Sequence, residues 1–333
     1  MDAASQRVVA GIPSATPDSP TGTALRVFLA EQARVFLTPG SGGTRLFGAC
    51  RRTSSVLTAC RSLVDADWAA ELCGEVDRIA DRLAAERDAE AVRGLILTPL
   101  NRWTDSGSYP DGGAARARTL LTRMLDRDRT AAHSAATSVL VARSFHALAD
   151  RMATLALEVP MTTAADASCA EVLPMLLEAA RGKLVRRVAS LPDPLGTEGL
   201  AADPQWFAAL EVAESALHVA ELCEPTGIAL GTLGGGGDGG DRGGDGGGSG
   251  GGARPAPDAD LVRELTGVIG ALRDQHLGVL AARCVHRAAD TPRIAASTGY
   301  VLGRLHEEQR LAVLRARCAA PLSFARPERL QRI

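Results

Sequence analysis

The sequence predicts an all-α protein of long helices in two similar halves. Three observations carry this expectation. Hydrophobic residues make up 46% of the 333 residues but aromatics only 3%, so the core must be built from Ala, Leu and Val. Ala and Leu lose little on entering a helix, whereas strands favour β-branched and aromatic residues. Apolar positions also recur at three- and four-residue steps over long stretches, and the pattern of one half is echoed in the other.

A leader rich in Ala, Ser and Pro occupies residues 1–21, and an N-terminal helical half spans 22–160. Thr23 to Leu37 reads as the first helix, with Leu25, Phe28, Leu29 and Phe36 on one face; Leu46 to Val64 reads as the second. The clearest pattern starts at Asp67, expected as an N-cap, and runs to about Ile96 through Trp68, Leu72, Val76, Ile79, Leu83 and Val92. A Gly/Pro/Asn/Ser-rich loop is expected over roughly Thr98 to Gly113, then helices from Ala114 to Leu125 and Arg129 to about Leu157. Pro160 and the threonines after it mark the boundary to a second half, 161–330. There Ser168 with Glu171 forms a capping-box signature for a helix to Leu191, with a kink expected at Pro174. Pro204 to Cys223 follows, then a glycine-rich insert at 231–252 and a helix from Asp258 to His286. Thr291 as N-cap and Pro292 in the first turn open the last helix, expected to end near Cys318.

Charge is segregated along the chain, although the net charge is only −2. Arg34, Arg45, Arg51, Arg52 and Arg61 lie between Glu31 and Asp65 without one carboxylate. Arg181, Lys183, Arg186 and Arg187 form a second acid-free block, and Arg310, Arg315, Arg317 and Arg326 a third. Such blocks make local positive fields, or else solvated helix faces that pair with acidic helices in three dimensions. Lys183 is the only lysine, a bias that fits a GC-rich coding sequence as well as any selection for guanidinium groups.

Several chemistries find no support. The seven cysteines are scattered, odd in number and form no C-x-x-C pair, so they read as small hydrophobes in a reducing compartment. No signal peptide and no apolar run of membrane-spanning length is visible, which makes the cytoplasm the expected location and a membrane partner unexpected. Gly247, Ser249 and Gly251 satisfy G-x-S-x-G but lack the strand and helix of a nucleophile elbow. The glycine insert reads as a flexible connector spanning about 26 Å. Gly182 and Lys183 lack the rest of a phosphate-binding loop, and the six histidines form no metal-spaced cluster. Neither catalytic residues nor a metal or cofactor is expected, so the chain reads as non-enzymatic.

The internal echo is specific in one stretch. Val76, Ile79, Leu83, Arg87, Asp88 and Val92 align without gaps on Val262, Leu265, Ile269, Arg273, Asp274 and Gly278. With Ala24–Ala33, Trp68–Leu72 leading to Arg87 and Asp88, Glu171–Leu177 with the basic run to Arg187, and Leu302–Gln309, the chain resembles the CHAD family, the conserved histidine α-helical domain. The resemblance covers roughly Thr23 to Leu322. It implies two four-helix-bundle-like halves with pseudo-twofold symmetry and long antiparallel helices. It also implies binding of inorganic polyphosphate in a basic groove between them.

The departures from that pattern fall on the binding chemistry. The family's H-x-x-R-x-x-x-R-R-x-R signature meets Thr44, Phe47, Arg51, Arg52 and Ser54, so the histidine is gone and the central arginine pair stays. Its symmetric copy meets Phe207, Leu210, Glu214, Ser215 and Leu217: every basic position is lost and one is reversed in sign. His218 stands where that copy often has an aromatic. The E-x-E-x-K signature of a fused triphosphatase is absent.

A polyphosphate chain needs cations arrayed along a groove. Arg45 and Arg52 are seven apart and share a helix face; Lys183, Arg186 and Arg187 share another. With Arg51 and with His306, which sits in a family-matching motif, these residues are the candidate polyanion-binding set. Arg87 and Arg273 are expected to pair structurally with Asp88 and Asp274. About five groove-facing cations at roughly 0.3–1 kcal/mol per exposed contact support only weak, salt-sensitive binding. The alternative is a diverged CHAD scaffold that has lost polyphosphate and serves protein–protein interaction. No specific nucleic-acid partner is expected.

Overall fold

The computed structural model describes residues 15–38, 40, 42–107, 109, 112–155, 158–194, 203–227 and 257–322. Nine α-helices are found among them: α1 Thr21–Leu37, α2 Gly42–Ala59, α3 Ala66–Asp105, α4 Gly113–Leu140, α5 Arg143–Thr154, α6 Cys169–Ala189, α7 Asp203–Cys223, α8 Pro257–Ala289 and α9 Ala296–Leu322. No strand accompanies them, and no helix of the described residues is long and apolar enough to cross a membrane. The glycine-rich insert and most of the N-terminal leader lie outside the described residues.

Helix boundaries differ from the expected ones where burial or backbone geometry overrides local signals. Asp65, not Asp67, caps α3, its carboxylate accepting from the Trp68 amide at 2.8 Å. The helix then runs through Pro99 to Asp105 where a loop was expected. A proline inside a helix costs about 3 kcal/mol. Ile96 and Leu100 on either side are fully buried, and each such side chain returns about 1.5–3 kcal/mol. Helix α4 is continuous through residues 126–128, because Asp126 accepts from Arg93 and Asp128 from Arg287, making the polar stretch one face of a helix. α9 starts at Ala296 and not at Thr291, since Arg293 adopts the left-handed region at φ 63°. Pro174 lies inside α6 without ending it, and Ser168 occupies its N-cap position without a side-chain hydrogen bond.

The packing order is that of a pseudo-twofold pair. α1 packs on α2, α2 on α3 and α3 on α4; in the same way α6 packs on α7, α7 on α8 and α8 on α9. Across the axis α1 meets α6, α2 meets α7, α3 meets α8 and α4 meets α9, so each helix touches its own counterpart. The segment between the halves is pinned by backbone hydrogen bonds, Thr21 N to Ala167 O at 2.8 Å and Asp65 N to Pro160 O at 2.9 Å. The core does not divide along the halves. One large cluster joins α1, α2 and the first part of α3 to α6, α7 and the first part of α8; a smaller one joins Ile96, Leu121, Val285 and Leu305 at the far end.

Asp203, at the start of α7, ties three elements together. It accepts from Arg317 Nη2 at 2.8 Å, Arg283 Nη2 at 2.8 Å and Gln275 Nε2 at 3.3 Å, and the Arg317 side chain is only 4% exposed. The Arg317 guanidinium also lies 5.3 Å from the ring of Trp206, which is fully buried. Removing one partner of a buried pair leaves the other uncompensated, at about 3–5 kcal/mol. Asp203→Ala is therefore expected to lower unfolding free energy by that order in a urea titration. A loss below about 1 kcal/mol would show the network to be dispensable.

Candidate functional site in the central cleft

Where the halves meet, α2, α3, α4, α7 and α8 surround a cleft of about 560 Å³. Its walls are largely apolar, with Phe47 from α2, Val92 from α3, Leu125 from α4, Leu210 from α7 and Leu280 from α8. Phe207, exposed in part, packs at a tilt against His276 with ring centroids 4.8 Å apart. Four arginines, five carboxylates and one histidine also line it: Arg51, Arg87, Arg273, Arg287; Asp81, Asp88, Asp128, Glu211, Glu214; and His276. A mostly apolar concavity with a few converging polar groups is the usual form of a ligand site.

The charges are matched in pairs. Arg51 lies 3.4 Å from Glu211, 3.7 Å from Glu214 and 4.0 Å from Asp77. Arg273 reaches Glu214 at 3.6 Å, Arg87 reaches Asp88 at 3.8 Å, and Arg287 donates to Asp128 at 2.8 Å. His276 Nε2 is 3.2 Å from Asp88. Every arginine of the cleft thus has a carboxylate within 4.0 Å. Burial raises the Glu214 carboxyl above its ordinary range, outweighing the opposing pull of Arg51 and Arg87. Burial also lowers the Arg87 guanidinium, which sits over the Phe47 ring at 4.0 Å.

Of the seven residues expected from the sequence, only Arg51 lines this cleft. Arg52, one residue on, turns to α7 and forms a two-pronged pair with Glu221, at 2.7 and 3.1 Å, whose hydrogen bond raises the arginine. Arg45 is exposed on the first turn of α2. Lys183 and Arg186 are exposed and Arg187 half-buried on α6, which packs on α7 and α1. His306 faces His286, ring centroids 6.0 Å apart, and burial, then that neighbour, lowers it. The structure therefore does not gather the seven in one trough.

Sequence reading placed Arg87 and Arg273 as structural partners of Asp88 and Asp274. Arg87 does meet Asp88, but Arg273 pairs with Glu214, Asp274 is exposed, and both arginines line the cleft. The missed signal was the repeat itself: residues that align between halves and face the axis must meet there. His218 is 7% exposed and its imidazole is depressed to about 3, by burial first and then by Arg52 and Arg51, so it packs as a neutral ring. All seven cysteines are free thiols, and burial pushes Cys50 and Cys60 up to about 12. Among the described residues no group of three His, Cys, Asp or Glu is placed to hold a metal ion.

Paired helical halves enclosing a charge-lined cleft on their symmetry axis define the class. The sequence profile of the CHAD domain matches residues 24–218, more than half of the chain. PptA from Streptomyces chartreusis is 30% identical with a TM-score of 0.72, covering 92% of this chain and 99% of that one. The crystal structure of the CHAD domain from the plant Ricinus communis shares the fold at a TM-score of 0.59 and 16% identity, over 96% of each chain. No curated protein matches the sequence significantly. The chain belongs to the CHAD domain family.

The Arg52–Glu221 contact joins the two halves, and its atoms are already engaged with each other. A double-mutant cycle over Arg52→Ala and Glu221→Ala is expected to give a coupling of about 1 kcal/mol in unfolding free energy. Coupling indistinguishable from zero would show that the pair is incidental.

Proposed function

We propose that this chain is a non-enzymatic, cytoplasmic CHAD-domain binding protein whose affinity for inorganic polyphosphate is weak. The observation that carries this reading is the carboxylate within 4.0 Å of every arginine in the cleft. A polyphosphate chain entering there would have to break or share those pairs, regaining charge contacts that the protein already makes with itself. Its phosphates would also meet Glu211, Glu214 and Asp88 at close range. Of the cations expected from the sequence, those that stay available to a long polyanion are Lys183, Arg186 and Arg187 on α6, with Arg45 on α2. The unpaired cysteines accord with a reducing compartment.

One observation favours the second reading, a scaffold for another protein. Helix α6 exposes Met175 at 68% and Val185 at 46%, on the same helix as Lys183 and Arg186. Apolar side chains beside cations form a surface that an acidic, partly apolar partner would cover.

Calorimetric titration of the purified protein with long-chain polyphosphate at about 50 and 200 mM salt tests the main reading. About four exposed phosphate contacts would lose roughly fiftyfold in affinity over that range. Replacing Lys183, Arg186 and Arg187 by Ala is expected to remove most of the low-salt binding, while Arg52→Ala leaves it. Tight binding that persists at the higher salt would overturn the proposal.

A further inference from the structure

Glu214 occupies an unusual place in the cleft. In the register that aligns Phe47 with Leu210, it aligns with Arg51, and α2 and α7 bring these two equivalent residues into an ion pair at 3.7 Å. Arg87 and Arg273 are likewise equivalents, on α3 and α8, and both face the same carboxylate: Arg273 at 3.6 Å, Arg87 as one of the charges acting on it. Three guanidinium groups from three helices therefore act on one side-chain anion, Arg51 and Arg273 within 3.7 Å of it and Arg87 from elsewhere in the cleft lining.

They hold it loosely. Strong charge-assisted N–H···O bonds run at about 2.7–2.9 Å, whereas both Glu214 contacts exceed 3.5 Å. Arg87 Nε is buried with no hydrogen-bond partner. A planar carboxylate on a short tether thus fills the electrostatic role of an anion without filling its space. An oxyanion with three terminal oxygens offers more acceptors to three forked donors. Beside this position the walls are Phe47, Leu210 and Phe207, suited to an apolar body.

We propose that the cleft is a binding site for a compact ligand joining one oxyanion to an apolar body, its head-group position held by the chain's own Glu214 until that carboxylate is protonated or displaced. This rests on the reading of the cleft as internally neutralised. The charged groups that act on Glu214 are Arg51 on α2, Arg87 and Asp88 on α3, Glu211 on α7 and Arg273 on α8, with His276 of α8 in the same cleft against Asp88. Because burial has raised the Glu214 carboxyl, falling pH neutralises it before an ordinary glutamate and removes the carboxylate that Arg51 and Arg273 share. His276 also lines the cleft and meets Asp88, so a variant must separate its contribution from that of Glu214.

Benzenesulfonate is a suitable probe, since its charge does not change between pH 5 and 7.5. Wild-type protein is expected to bind it roughly tenfold more tightly near pH 5 than at pH 7.5. Glu214→Gln should bind at pH 7.5 as tightly as wild type does at pH 5, with little further response to pH; His276→Gln should keep the response. Arg273→Gln in the wild-type background should abolish it, which serves as the decisive arm if Glu214→Gln does not fold. A pH response retained in full by Glu214→Gln, or no benzenesulfonate binding by any form at either pH, would overturn the assignment. Polyphosphate competing tightly at 0.15 M salt would instead overturn the weak-polyphosphate reading and leave this one intact.

Discussion

Burying like charges on a symmetry axis is the constraint around which this molecule is organised. Arg51, Arg87 and Arg273 converge there from three helices, and two of them approach one carboxylate within 3.7 Å. At an effective dielectric near 20, any two like unit charges about 7–10 Å apart repel by about 1.5–2.5 kcal/mol. One carboxylate within 4 Å of Arg51 and Arg273 attracts each by about 4 kcal/mol before its own desolvation is subtracted. Glu214, with Glu211 and Asp88 beside it, thus turns a repulsive contact between halves into a cohesive one. The raised Glu214 carboxyl is the trace of that desolvation.

The same contact explains why the halves are not independent domains. α2 with α7 and α3 with α8 contribute both the charged cleft and the buried residues beneath it, among them Leu57, Leu72, Val219 and Leu272. Separating the halves would expose apolar surface and uncompensated arginines together. Asp203 with Arg317 and Gln275 adds a polar fastening within the second half, where the fully buried Trp206 would otherwise lie beside an unpaired guanidinium.

The fold was legible because periodicity and composition report burial directly: Leu72, Val76, Ile79 and Leu83 recur at helical spacing, and all four are buried. Helix ends were less legible, since signals such as the Thr98–Gly113 loop residues are overridden when a core waits beyond them, as Leu100 shows. The cleft was hardest to see. Cationic character marks a candidate in the sequence, but which cation faces the axis depends on phase around the helix. Adjacent Arg51 and Arg52 take different partners, Glu211 and Glu214 for one and Glu221 for the other. Arg87 and Arg273 each lie beside a carboxylate in the chain, yet only Arg87 meets that neighbour in space, while Arg273 reaches Glu214.

The acid-free block of α2 acquires its meaning from α7. Glu211, Glu214 and Glu221 fall at intervals of three and seven, one face of a helix, with His218 set between them. That face meets the Arg51 and Arg52 face of α2. Had the second signature merely lost its cations to neutral residues such as Ser215, the arginines of α2 would stand at the interface uncompensated. Losing a charged group's partner there costs far more than losing the pair. Reversal of sign at one position, with carboxylates three residues before and seven after it, is compensation and not erasure. The positive field of Arg51 and Arg52 is therefore spent inside the protein, between its two halves, before any ligand arrives.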